Sequence, residues 1–501
     1  MATEVSQLTK LVSFLPANWC GVLFSLLSVS LLYLLVRFIQ LLRWKQAFRY
    51  ALRDFPRHPN GSWLLGDVPE YTKGHNGMGR EFHFNYEEVT DAMQFWLGPF
   101  MPGVVVFSPE TVKAVANKNE PKQESVMRFL QEWIGDGLVA SYGEKWARNR
   151  RLVSPAFHYS GLRPHVNIFS ECAHRLVESV RGTKCVRRPI SHTNVRPDTY
   201  QCTYVSAVRK LADLFFKRFV TMWQYFDFLF YNCQDGKDFR RILKVALDFS
   251  KQVIIQRRSL AKESQKRAFR DLLDILIDAR DDEGKGLSGD EIQNEVNTFM
   301  FGGYETTSTA ATWALYCLAQ HPEYQDICRK EVDELMNAKG SEHLDWTDMN
   351  CLPFLTMCIK ESQRLYPTVP FVFRRLTEPL VLNDGRVIPP ETTVYISMSG
   401  LHLNPTVWDN PQVFCPERFS PENSASRSPH AFLPFSAGPR NCLGQQFAMF
   451  ELKTTFAILL RHFVFSADET KTIKLFNAGC LRSETGIHVV MIPRDKMDEK
   501  D

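Results

Sequence analysis

The chain reads as a mainly α protein with small β-sheets, a single large domain behind an N-terminal membrane anchor. Three observations predict this. Residues Leu11 to Val36, "LVSFLPANWCGVLFSLLSVSLLYLLV", carry no charged side chain, and about 20 apolar residues in a helix cross a bilayer. After residue 60, helical periodicity dominates, and no internal repeat or low-complexity linker interrupts it. The composition, 44% hydrophobic and 23% charged with 37 Phe among 501 residues, suits one folded body with bulk for a core or an apolar pocket. A net charge of +4 is too small to argue for a nucleic-acid partner.

The N-terminal region, 1–42, holds the span at about 20–40. Arg37, Arg43, Lys45, Arg49, Arg53 and Arg57 follow it. Positive charge collects on the cytosolic side, so the single pass leaves the body in the cytosol. A cleaved signal peptide would carry its basic residues first and a shorter apolar core. A cytosolic body also leaves Asn60 of the sequon "NGS" without glycan. A basic linker, 43–60, ends in "FPRHPNGSW", where Pro56 and Pro59 oppose helix. The body is 61–501. The twelve scattered cysteines form no CxxC pair and read as reduced thiols.

Within the body the pattern predicts helices over 109–118, 124–134, 143–155, 161–181, 204–230, 237–262, 266–281, 289–320, 322–337, 352–366 and 443–461. Short strands are predicted at 94–98, 103–107, 378–382, 393–397 and 487–492. The helix over 289–320 is bounded by its own residues. Ser288 and Glu291 form a capping box at its start, and Pro322 stops it. At about 48 Å it must run through the middle of the molecule. Yet its centre reads "GGYETT". Each interior glycine costs about 1 kcal/mol relative to alanine. Gly302 and Gly303 are explained by close approach of something flat or bulky, and Glu305 and Thr306 by proton transfer. A helix-packing notch beside a solvated acid is the plainer alternative.

The stretch "FSAGPRNCLG", 435–444, explains why one cysteine stands apart. Gly438-Pro439 turns the chain, Arg440 brings a cation, and a helix starting near Leu443 points its positive end at the Cys442 sulfur. These are the conditions that hold a thiolate. Gly444 puts no side chain above it, so a planar group can lie close. This is a mount for haem iron on cysteine sulfur, a ligation that favours O–O cleavage.

The stretch resembles the haem-binding signature of the cytochromes P-450, F-x-x-G-x-R-x-C-x-G, from Phe435 to Gly444. "GGYETT" is similar to the family's oxygen-activation pattern, "ESQR" (Glu361 to Arg364) to its E-x-x-R element, and "PERF" (416–419) supplies Arg418 to join it. "WARNR", Trp146 to Arg150, matches the W-x-x-x-R helix. All five stand in the family's order and the resemblance covers about residues 60–493. "GEKWARNRRLVSPAFH", "EVNTFMFGGYETTS" and "AFLPFSAGPRNCLGQQFAM" resemble the fourth family most, the fatty-acid ω-hydroxylase group.

The resemblance implies a cytochrome P-450 fold and a haem-thiolate monooxygenase. It inserts one atom of O2 into lipophilic substrates such as fatty acids or related lipids. Cys442 would ligate the iron of haem b. Trp146, Arg150, Arg374 and Arg440 would meet the propionates, with Gly302, Gly303, Phe435 and Gly444 lining the haem. Glu305 and Thr306 would deliver protons on the distal face. Glu361, Arg364 and Arg418 would form a structural charge network. No G-x-G-x-x-G follows a strand here. Electrons would therefore come from outside, and the resemblance implies NADPH through a P-450 reductase, with cytochrome b5 as a further candidate donor, at the endoplasmic reticulum membrane.

Two features depart from the pattern. Many fourth-family members carry Glu where this chain has Gly302, and that Glu can form an ester with a haem methyl. Gly302 cannot, so the haem is expected to be non-covalent. Tyr304 stands where His is usual and Glu305 where Asp is. The second departure is 181–204, "RGTKCVRRPISHTNVRPDTYQCTY", where relatives have continuous helix. This stretch has Pro189, Pro197 and no 3.6-residue period. Two other functions follow from these facts: a reductase-independent isomerase or dehydratase of lipid peroxides, and a haem-binding protein impaired by the atypical segment.

Overall fold

An apolar helix, α1 (Ala17–Ala51), opens the computed structural model, which describes residues 17–57, 61–63, 65–67, 91–99, 101–181, 186–189, 200–259 and 270–496. Its stretch Phe24–Ala51 contains an 18-residue window of mean hydropathy 1.9 and is long and apolar enough to cross a membrane. The helix is longer than the predicted span because nothing between Val36 and Ala51 breaks it. The chain divides into two compact units, Met1–Asp54 and Phe55–Asp501. Pro59 and Asn60 lie outside the described residues.

The second unit begins with the strands β1 (Ala92–Trp96) and β2 (Pro102–Val106). Helices α2 (Pro109–Ala116), α3 (Glu124–Ile134), α4 (Gly143–Val153) and α5 (Tyr159–Arg181) follow. Then come β3 (Val186–Pro189), α6 (Tyr200–Val220), α7 (Asp227–Asn232), α8 (Gln234–Ser259) and α9 (Leu272–Asp278). Next are α10 (Gly289–Gln320), α11 (Pro322–Lys339) and α12 (Pro353–Leu365). Strands β4 (Phe371–Arg375), β5 (Leu380–Val381), β6 (Val387–Ile388) and β7 (Thr393–Ser397) lead to the short helices α13 (Met398–His402) and α14 (Pro421–Ala425). Helix α15 (Gln445–His462) and strands β8 (Phe463–Ala467), β9 (Leu475–Asn477), β10 (Leu481–Ser483) and β11 (His488–Pro493) close the chain.

A four-stranded sheet runs β1-β2-β7-β4. Its β2–β7 pair is parallel, Gly103 opposite Thr393, and the other two pairs are antiparallel. The largest core lies between α5, α10, α11, α12 and α15, around Trp313, Leu318, Leu355, Phe450 and Phe456. Trp313 stacks flat on Tyr366 at 4.2 Å, and its indole N–H donates to Leu481 O at 2.7 Å.

Helix α10 keeps its predicted bounds. Both halves of the capping box form: Glu291 N–H donates to Ser288 Oγ at 3.2 Å, and Ser288 N–H to Glu291 Oε2 at 2.8 Å. The helix expected over 204–230 instead breaks at Val220 and resumes as α7. The cause is Arg218, almost fully buried. Its guanidinium donates to Gln224 O at 3.1 Å, pairs with Glu132 and Asp227, and lies 3.8 Å over the Phe230 ring. Holding those partners around one cation needs a turn at 221–226. The helix expected over 266–281 is described only as α9, started by a capping box of Asp271 and Asp274. Strand 378–382 shrinks to β5, whereas β3, β4, β6, β8, β9 and β10 have no counterpart in the sequence pattern. In the atypical segment, β3 forms the edge of a three-stranded sheet, β3-β11-β8, with Val186 opposite Met491. The flanking residues 182–185 and 190–199 lie outside the described part.

Candidate functional site: a cysteine loop against a notched helix

The Cys442 loop is fixed from both ends. Cys442 N–H donates to Phe435 O at 2.9 Å and Asn441 N–H to Gly438 O at 3.1 Å. Gly438 has φ +71°, and a β-carbon there would sit 2.0 Å from Ala116 O, so only glycine closes this turn. At Gly444 a β-carbon would come 3.9 Å from the Cys442 sulfur. The N-terminus of α15 begins at Gln445. Burial pushes the Cys442 thiol up, opposed by the Gly444 N–H and by the Arg150 charge. The residue is nonetheless solvent-accessible. Arg150 donates to Asn441 O at 3.0 Å and Asn441 Oδ1 at 2.8 Å, so it braces this loop directly.

Across from it runs the middle of α10. Leu443 packs into the same apolar cluster as Phe299 and Met300 of that helix. A β-carbon on Gly302 or Gly303 would meet nothing within 4 Å. Gly303 is exposed although it lies mid-way along a central helix. Thr306 Oγ1 donates to Gly302 O at 2.6 Å, one turn back. Glu305 is 3% exposed. Arg482 of β10 holds it, with Nε and Nη2 at 2.7 and 2.6 Å from Glu305 Oε1 and Nη1 at 2.9 Å from Asp213 on α6. Sequence reasoning did not find Arg482, whose partner lies 177 residues away.

Four cations gather beside the cysteine loop. Arg374 of β4 is 1% exposed, and among the described residues its Nη1 donates only to Phe373 O and its Nε has no partner. Arg440 donates to Ser141 O at 2.6 Å and lies 4.3 Å over the Trp146 ring. Lys122 donates to Val139 O at 2.8 Å. Arg150 is the fourth. Among the described residues none of the four forms an ion pair with a carboxylate. Burial pulls Arg374 and Arg440 down to about 10, and for Arg440 the charges of Arg374 and Arg150 add to it. Lys122 is lowered by burial and then by Arg374 and Arg440. Arg374 is buried and the other three are half-buried, and cations so placed without anions are costly. A group bringing two carboxylates, such as a haem with its propionates, fits this cluster, the open glycines and the accessible sulfur together. Lys122 is a site residue that no local pattern announced.

Behind the loop, Glu361 and Arg364 are fully buried and pair bidentately at 2.7 Å. Arg364 also donates to His402 O, Pro411 O and Val413 O. Arg418 Nε lies 3.5 Å from Glu361 Oε1, and Cys415 N–H donates to the same oxygen at 2.9 Å. The network reaches the cysteine loop through His402. Burial holds that imidazole near a pKa of about 3, so it stays neutral. Its Nε2 accepts Leu433 N–H at 2.9 Å, and Leu433 O accepts Ser436 N–H at 3.0 Å.

An accessible cysteine sulfur, a helix opened by two glycines and a cluster of unpaired cations together define a haem-thiolate protein. The chain belongs to the cytochrome P450 family, whose sequence model matches residues 56–195 and 191–491. The two matches meet inside the atypical segment. Human cytochrome P450 4F12 is 37% identical over 524 residues, covering 96% of this chain and 99% of the relative. The human ultra-long-chain fatty acid omega-hydroxylase is 37% identical over 494 residues, covering 92% of each. Cytochrome P450 4F6 of Rattus norvegicus is 39% identical over 473 residues, covering 88% of each. The chain is thus a monooxygenase that uses haem b, takes electrons from NADPH through a P450 reductase and acts on lipophilic substrates. These relationships favour the monooxygenase over a peroxide isomerase or an inactive haem carrier.

Proposed function

We propose that this chain hydroxylates fatty acids or related lipids at the endoplasmic reticulum, anchored by α1 with its body in the cytosol. The observation that carries the substrate class is the 37% identity, across 92% of both chains, to a protein named for fatty-acid ω-hydroxylation. The basic residues after Val36 support the orientation.

When bound, haem supplies one-electron and dioxygen chemistry; the protein supplies the rest. Cys442 gives the thiolate, with Arg150 and the Gly444 N–H favouring its charge. Arg374, Arg440, Lys122 and Trp146 receive the propionates, cations and fork geometry suiting carboxylates. Gly302, Gly303 and Gly444 would leave room for the haem, and Phe435 would line it. Thr306 releases its hydroxyl from Gly302 O to donate a proton. Glu305 re-supplies it with a proton taken up from water once Arg482 has moved off toward Asp213, whose side chain is 45% exposed. Glu361, Arg364 and Arg418 hold the scaffold.

The test is turnover of a fatty-acid panel by the purified protein, with and without NADPH and reductase. Hydroxylated products only with both are expected. Rearranged peroxides formed without them would sink the proposal. Because Gly302 has no carboxyl to esterify a haem methyl, haem is expected to extract into acidic organic solvent, whereas in Gly302→Glu a fraction stays with the protein.

A further inference from the structure

Three elements meet far from the cysteine in sequence: α5 at His174, the loop after α11 at Glu342, and the last residue of α15 at His462. One ligand atom from each lies within 4.8 Å of the other two, and all three residues are half-buried. Glu342 Oε2 stands 3.2 Å from His462 Nε2. Glu342 Oε1 accepts Arg461 Nε at 3.1 Å, which fixes the carboxylate's orientation. His174 lies edge-on to His462 with ring centroids 6.1 Å apart. Among the described residues its ring nitrogens make no hydrogen bond.

We infer that His174, Glu342 and His462 bind a zinc ion, or a divalent ion of similar preference, as a clamp between α5 and α15. Zinc takes imidazole nitrogen and carboxylate oxygen at about 2.0–2.2 Å. Tetrahedral ligands at that radius are roughly 3.4 Å apart, so shifts of about 1 Å in partly exposed side chains close the set. Calcium and magnesium prefer oxygen and would need more of it than one carboxylate offers. Three protein donors leave the fourth position to water.

The surrounding charges balance. Arg181, Arg461 and Arg494 stand against Asp333, Asp495 and Glu342. One contact must rearrange. Arg181 Nη2 lies 3.2 Å from His462 Nδ1 and donates to it, which puts the imidazole proton on Nε2, facing Glu342. Metal on Nε2 moves that proton to Nδ1, so the ring stays neutral. Arg181, about half exposed, then turns to Asp495, already 3.8 Å away. The clamp would tie down the end of α5, the point where the chain enters the atypical 181–204 stretch.

The experiment uses metal-stripped, haem-loaded full-length protein in detergent, titrated with zinc sulfate against a zinc-responsive dye. One equivalent is expected to bind at micromolar concentration or tighter. His174→Asn and His462→Gln should each weaken it by more than tenfold. Glu342→Gln, at a more exposed position, serves as the variant that keeps the fold, and an unchanged reduced-CO band confirms folding in all three. Zinc should raise the melting temperature of the unaltered protein by several degrees and leave the variants unmoved. No such equivalent, equal binding in the variants, or binding without a melting shift would overturn the clamp.

Discussion

Arg364 places all five of its N–H donors inside the protein, two on Glu361 and three on backbone carbonyls. Removing it strips three carbonyls of their donor and leaves the buried Glu361 carboxylate with only the Cys415 N–H and the 3.5 Å contact to Arg418 among the described residues. Losing one partner of such a pair costs about 3–5 kcal/mol. Because His402 passes the arrangement on to Leu433 and Ser436, Arg364→Ala is expected to lose haem rather than merely slow turnover. The haem-to-protein ratio after purification measures this, and a replete, stable variant would refute it. Glu451 on α15 is a second residue with a readable consequence. Burial pushes its carboxyl from 4.5 to about 7. Between those values the folded chain keeps a proton that the unfolded chain has released, so stability falls as pH rises through that window and levels off above it. Glu451→Gln is therefore expected to be more stable than the unaltered protein by on the order of 2 kcal/mol above pH 7. The gain should vanish below about pH 4.5. Thermal melts at pH 5 and pH 8 compare the two, and an equal difference at both would remove the assignment.

At the scale of elements, the turn before α15 depends on Gly438 twice, for its positive φ and for the 2.0 Å approach to Ala116 O. Gly438→Ala should cost about 1–3 kcal/mol of strain and broaden or shift the reduced-CO band as the Cys442 loop is displaced. A native band would show that the loop tolerates the change. Legibility follows range. Helix α10 was readable to its ends because Ser288, Glu291 and Pro322 act within one turn of themselves, and the Cys442 loop because its determinants fall within ten residues. Arg482 and Lys122 were not readable, since what makes them matter lies on other elements. Strand β4, which carries Arg374, has no alternation because it pairs on one edge of a sheet beside the site. The break after α6 was hidden for the same reason. "LADLFFKRFVTMWQYFDFLF" keeps a helical look, and the distant Glu132 joins Asp227 and Gln224 O in making the burial of Arg218 favourable enough to turn the chain.

For the whole molecule, the division at Asp54 makes a clear experiment. A chain of residues 55–501 should keep its reduced-CO band. It should also remain loosely attached to membranes, released by alkaline carbonate, because Trp223, Phe226 and Phe228 present a broad apolar surface. The full chain should resist the same wash. Equal release of both would argue against α1 as the anchor. The four unpaired cations around Lys122 and Arg374 carry a consequence at the same scale. Until two carboxylates arrive, their mutual repulsion works against closure of the body, and each incoming prosthetic group removes that repulsion. Synthesis of this polypeptide in a cell starved of iron porphyrin should therefore yield short-lived chains, with the standing amount of protein following the porphyrin supply rather than the message level.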